Sequence, residues 1–222
     1  LDSTICDIYL VNDRQEIIGR PIMTACIDVY SSLCCGYSLG WEGGMYSLRQ
    51  LMLNVVSNKK EYCRKFGIEI SESDWNCNQL PEYASENFEQ LTDLGVSIIN
   101  LPAYRPELKG SVEKFFDVIQ DLYKPHLLGR GVIEPDFQER GARDYRKDAC
   151  LTLKQFEKII LHCILYYNTK RVIKNFPFSE AMIGKINPYA NDIWNYKRSI
   201  CDENLISISP QNLLLCLLPR TK

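Results

Sequence analysis

STICDIYLV at 3–11, PIMTACIDVY at 21–30 and SLCCGYSLG at 32–40 decide the fold class. All three are rich in Ile, Val, Tyr, Thr and Cys, and turn signals separate them at Asn12-Asp13 and Gly19-Arg20-Pro21. They read as three sequential strands. Side chains on a strand alternate between faces, and here both alternating sets are largely apolar, as a sheet covered by helices on both sides requires. The reading is α/β, not a sandwich.

Helical periodicity follows. Leu48, Leu51, Met52, Val55 and Val56 place an amphipathic helix at 45–58 or beyond. Residues 84–94 read as a second helix, and VSIINL at 96–101 as a short buried strand closed by Pro102. Val112, Phe115, Phe116, Ile119, Leu122 and Tyr123 mark a helix from Ser111 with Glu113 in its first turn. Residues 124–150 show mixed charge and no period, so they form a long excursion. Thr152 and Gln155 make a capping box for a helix that runs to Asn168. Shorter helices are expected at 178–184, 188–198 and 210–217, with no internal repeat or linker.

Composition narrows the chemistry. The 222 residues, 45% hydrophobic, suffice for one substantial core. No run approaches a membrane span, and the start has no signal-peptide pattern, so a cytoplasmic protein is expected. Ten cysteines without a CxxC pair read as buried free thiols, not as a disulfide framework. With two histidines, a zinc site would need scattered ligands, and Ser/His or Cys/His nucleophilic catalysis lacks its usual base. Carboxylates are left to carry the chemistry. The net charge of −2 argues by itself against duplex binding, which Lys and Arg dominate, although a net figure hides local patches.

Short segments point to a family. DSTICDIYLV at 2–11, IIGRP at 17–21, IDVYSSLCCGYSLG at 27–40 and LPAYRPELKGSVEKFF at 101–116 resemble the core of the DDE transposases and retroviral integrases. DYRKDACLTLKQFEKIIL at 144–161, YYN at 166–168 and LLPR at 217–220 are more specifically similar to TnsB-type transposases. The ordered set is far more specific than any one motif.

The resemblance implies a ribonuclease H-like mixed sheet flanked by helices on both faces, with extra C-terminal helices. Residues 1–124 would form the catalytic core, and 125–222 the family-specific excursion and helical part of the same domain. The implied activity is cleavage at transposon ends and strand transfer of the 3′ ends into target DNA. The implied cofactor is two Mg2+ ions, with Mn2+ able to substitute. Two aspartates and a glutamate hold the metals in this superfamily, and the matching positions are Asp2 and Glu113. Magnesium prefers hard oxygen ligands, and a metal pair clamps both oxygens of an in-line displacement. On spacing alone, Asp2 at a chain end and Glu113 in a first helical turn are unremarkable. Arg105, Lys109 and Lys114 flank Glu113 and would meet phosphates. Asp28 is a rival carboxylate outside the metal-binding pattern and reads as structural.

The second aspartate departs from the pattern. It follows a fourth strand in a D-x-G-E-Y setting, whereas here Leu80-Pro81 runs directly into EYASENF at 82–88. A strand and loop are missing between 81 and 82, and we expect an omitted stretch closed up in the numbering. Where the family often carries an arginine after Ser32, Leu33 stands. The implied partners are transposon-end and target DNA, further copies of the chain on DNA, an endonuclease subunit, an AAA+ ATPase regulator and target-selection proteins. Two other readings remain: an inactive DNA-bridging or assembly subunit, supported by the missing aspartate, and a ribonuclease H-like nuclease without strand transfer.

Overall fold

The computed structural model describes residues 1–77, 110–135, 143–174, 176–200 and 209–217. Within them, β1 (Asp2–Ile5), β4 (Ile22–Ile27) and β5 (Cys34–Gly40) form an antiparallel sheet in the order β1-β4-β5. β2 (Leu10–Val11) and β3 (Ile17–Gly19) form a separate antiparallel hairpin. The helices are α1 (Gly44–Val56), α2 (Lys59–Arg64), α3 (Gly110–Tyr123), α4 (Leu153–Thr169), α5 (Ala190–Ile200) and α6 (Pro210–Leu217). No helix among the described residues is long and apolar enough to cross a membrane.

Both faces of the sheet are covered. On one, α1 comes so close to β5 that a Cβ on Gly36 would lie 2.7 Å from Val55 Cγ2 and 3.1 Å from Val55 Cα. Tyr37, the next residue, points to the opposite face by strand alternation. Its hydroxyl lies 3.2 Å from the Tyr62 hydroxyl, which in turn donates to Glu157 of α4 at 2.7 Å. α3 lies against α4 on that second face. Perpendicular ring pairs Phe115–Tyr167, 4.9 Å apart, and Tyr123–Phe156, 5.1 Å apart, make the two helices antiparallel.

Three expectations change. The strand expected over 3–11 is broken: Asp7 bends away, and the chain re-enters pairing with β3 instead of β4. Pro21 has no N–H to continue a ladder, so β3 and β4 separate there, although the Pro21 carbonyl still accepts from Cys6 N at 2.9 Å. The helix expected from 45 divides at Ser57, which is extended with ψ of 153°, and Asn58 then caps α2 through Glu61 N. The segment 178–184 is a series of turns, not a helix, interrupted by Gly184 at φ +76°. The expected helix at 84–94, the strand at 96–101 and the junction at 81–82 lie outside the described residues.

The excursion after α3 is stitched to the start of the chain. Tyr9 N donates to Gly131 O at 2.8 Å, Ile133 N to Asp7 O at 2.9 Å, and Val11 N to Leu151 O at 3.0 Å. Gly131 is required there, because it sits at φ +89° and a Cβ would meet Tyr9 O at 2.6 Å. The capping box at Thr152 and Gln155 starts α4 as its sequence predicts.

Candidate active site

Asp2 heads β1, half-buried, opposite Ala25 of β4. Its Oδ1 accepts from Ser3 N at 3.0 Å, and Ser3 Oγ shares a 2.8 Å hydrogen bond with Thr24 across the strands. Glu113 is exposed in the first turn of α3. Two independent ties bring these positions to the same end of the sheet.

The first tie is at the opposite end. Asp7 N donates to Tyr123 Oη at 3.2 Å, and Asp7 Oδ2 accepts from Lys124 Nζ at 2.7 Å, so the end of α3 is fixed beside the end of the β1 segment. Counting back from there, five extended residues span roughly 16 Å to Asp2, and ten helical residues span roughly 15 Å to Glu113. The second tie is at the near end. Phe115 packs on Tyr167, and the next residue, Asn168, brackets Cys34: its Oδ1 accepts from Cys34 N at 2.9 Å and its Nδ2 donates to Cys34 O at 3.1 Å. Cys34 pairs with Ile27, two residues beyond the partner of Asp2. Asp2, Glu113, the β4–β5 turn and the end of α4 therefore share one edge of the molecule.

The other expected residues divide. Lys114 is exposed beside Glu113. Arg105 and Lys109, and the segment at 82–88 where the second aspartate was sought, lie outside the described residues. Among those residues no group of three or more His, Cys, Asp or Glu side chains could hold a metal ion. Asp28 stays structural, since its Oδ2 accepts from both Ser31 N and Ser31 Oγ and so closes the β4–β5 turn. Leu33, where the family often has arginine, is fully buried and fills the core. Cys6, Cys26, Cys34, Cys35, Cys63, Cys77, Cys150 and Cys163 are free, and the first six are buried.

Sequence reading missed three supports. Asn168, which the sequence shows only as the end of a helix, is a buried clamp on β5. Asn54, polar within an apolar stripe, accepts from Tyr37 N at 3.1 Å, and its place between Leu51 and Val55 was the available signal. Lys59 is buried, with its ammonium donating to Asn54 O at 2.6 Å and Val55 O at 2.7 Å at the end of α1. Burial pushes its pKa down, and nothing in the sequence marks it.

A family model described as the TnsB C-terminal domain matches residues 1–129. The chain is 33% identical over 235 residues to "Transposon Tn7 transposition protein TnsB" of Escherichia coli, a match covering 100% of this chain and 33% of that protein. It is 24% identical over 139 residues to "Transposase for transposon Tn552" of Staphylococcus aureus, covering 58% of this chain and 26% of that one. The chain thus spans about a third and about a quarter of the length of these relatives. The Tn7 match, 235 long against 222 residues here, exceeds this chain by 13. By the family match and the full-length similarity, the chain belongs to the TnsB C-terminal domain family of TnsB-type transposases.

Proposed function

We propose that this chain is the catalytic part of a DNA transposase, cutting at transposon ends and joining the freed 3′ ends to target DNA within a ribonuclease H-like arrangement. What supports the reading is that the Tyr123–Asp7 and Asn168–Cys34 contacts put the strand end that carries Asp2 and the helix turn that carries Glu113 at one edge of a chain of the TnsB family. Both are carboxylates, the hard oxygen donors that magnesium takes, so the donor chemistry fits Mg2+ with Mn2+ as a substitute. When bound, such ions would neutralise charge at an in-line phosphoryl displacement. The chain's own contribution is to hold two oxygens at the site edge and, through Lys114, Arg105 and Lys109, to position phosphates.

The missing second aspartate favours the inactive bridging subunit as the competing reading. Against it stands the similarity to the Tn7 protein over the whole of this chain. The wider assembly implied by the family, with an endonuclease subunit, an AAA+ ATPase regulator and target-selection proteins, belongs to the same proposal.

The test is joining of a pre-cleaved transposon end in the intact protein with Mg2+ or Mn2+. Asp2→Ala and Glu113→Ala should each abolish joining while end binding persists. Joining retained in either variant removes the metal assignment. No joining by the wild type with any end supports the bridging subunit.

A further inference from the structure

The β4–β5 turn carries an exposed aromatic at the site edge. Val29 and Tyr30 at its tip are 77% and 44% exposed, although Asp28 and Ser31 close the turn beneath them. Tyr30 lies five residues past Ala25, the partner of Asp2, and so within roughly 16 Å of it along the strand direction. The ring does not hang free. Phe176 meets it at 5.4 Å with planes at 87°, Phe178 supports Phe176 at 4.9 Å, and Lys197 Nζ lies 4.1 Å from the Tyr30 ring centre.

The segment that carries Phe176, Phe178 and Lys197 is cationic. Residues 168–200 contain six Lys or Arg (170, 171, 174, 185, 197, 198) against two acids (180, 192), in a chain whose net charge is −2. None of these six pairs with a carboxylate among the described residues. Arg171 lies over the Tyr167 ring at 4.9 Å, three residues from the Asn168 clamp, so the cationic stretch begins at the site edge. An oriented, solvent-facing ring beside unpaired cations is the arrangement by which proteins take an unpaired nucleotide: base on the ring, phosphate on the cation.

We propose that Tyr30, oriented by Phe176 and flanked by Lys197, is a stacking platform for an unpaired DNA base next to the reacting end, with Lys197 holding the adjoining phosphate. The proposal rests on the transposase reading and adds to it a contact that intact duplex does not make. Paired bases stack on their neighbours and offer only edges, so the platform selects ends that are frayed or carry an unpaired flank.

The experiment measures binding of the intact protein to two DNA ends of identical sequence, one blunt and one with a three-nucleotide unpaired flank carrying 2-aminopurine. Tyr30→Ala should weaken binding to the flanked end about tenfold and leave the blunt end within about twofold, while Tyr30→Phe keeps wild-type affinity. Wild type should quench 2-aminopurine, and Tyr30→Ala should not. Lys197→Gln should lower the salt dependence of flanked-end binding by about one phosphate contact. Equal weakening on both ends, which would make Tyr30 a general backbone contact, or no weakening on either, overturns the platform. Thermal unfolding of Tyr30→Ala guards the comparison, and unfolding at the wild-type temperature is expected of so exposed a ring. If Tyr30→Ala binds normally while Glu113→Ala still loses joining, only the platform falls. If wild-type protein joins no end, the transposase reading falls instead.

Discussion

Replacing Asn168 by Ala removes the clamp between α4 and β5, and its cost follows from what Cys34 keeps. Asn168 is wholly buried, and its amide makes two hydrogen bonds to Cys34, one to the N–H at 2.9 Å and one to the carbonyl at 3.1 Å. The carbonyl retains a second donor, Trp75 Nε1 at 2.7 Å, so it stays satisfied. The N–H has no such substitute. A buried donor left unmade costs about 1–3 kcal/mol, and loss of one redundant bond to the carbonyl adds about 0.5–1 kcal/mol. The expected sum is roughly 1.5–4 kcal/mol, or about 3–16 °C in Tm for a chain of this size. Urea unfolding monitored by circular dichroism measures it. Trp75→Phe alone should cost about 1 kcal/mol, and the double variant more than the sum of the two, because only then is the Cys34 carbonyl orphaned. A stability change for Asn168→Ala within about 0.5 kcal/mol of zero, the range of an ordinary surface substitution, would refute the clamp.

Other perturbations probe separate parts of the argument. Gly36→Ala should cost about 1–3 kcal/mol, since the new methyl meets Val55 Cγ2 at 2.7 Å and Asn54 Oδ1 at 2.9 Å. Adding Val55→Ala should recover part of that loss, and a Gly36→Ala protein as stable as wild type would contradict the close approach of α1. Alkaline pH should weaken the fold. Burial pushes Cys6 up to about 12 and Cys63 and Cys163 to about 11, whereas unfolded thiols ionise near roughly 8.5. These raised groups contribute stability that is complete below the unfolded value and lost as pH climbs through 11–12. Lys59 acts oppositely, because burial lowers its pKa and the folded lysine gives up its proton at a lower pH than the unfolded one, but it is one group against several thiols. The urea midpoint in reducing buffer should therefore fall between pH 8 and 10.5; a rise would show that the lysine outweighs the thiols. For the chemistry, Asp2→Ala and Glu113→Ala should lose joining and keep end binding.

Much of the architecture was legible because it rests on local pattern. The apolar alternation at 21–30 and 32–40 and the helical stripe from Val112 to Tyr123 were each strong enough to survive in three dimensions. The capping box at Thr152 needed only four residues to declare itself. What stayed hidden depended on distant partners. The break after Ile5 follows from Pro21 and from Arg20 and Lys124 drawing Asp7 out of the strand, at 2.6 Å and 2.7 Å. The Asn168 clamp spans 134 residues of sequence, and no spacing rule reaches that far. The proposed site was half legible: the motifs single out Asp2 and Glu113 as candidates, while their placement at one edge depends on contacts at Tyr123 and Asn168 that the motifs do not contain.

The tie between Tyr123 and Asp7 also makes α3 a lever. Its pivot is at Tyr123, and Glu113 stands at the far end roughly 15 Å away, two residues before the Phe115 contact with Tyr167. A tilt of only about 4° at the pivot carries the tip about 1 Å, and a displacement of that size can cost on the order of a hundredfold in rate for positioned chemistry. Small rearrangements around Asp7, Arg20 and Lys124 are thus magnified where the carboxylate stands. A surface ion cluster with little effect on stability would set the aim of the opposite end of the molecule.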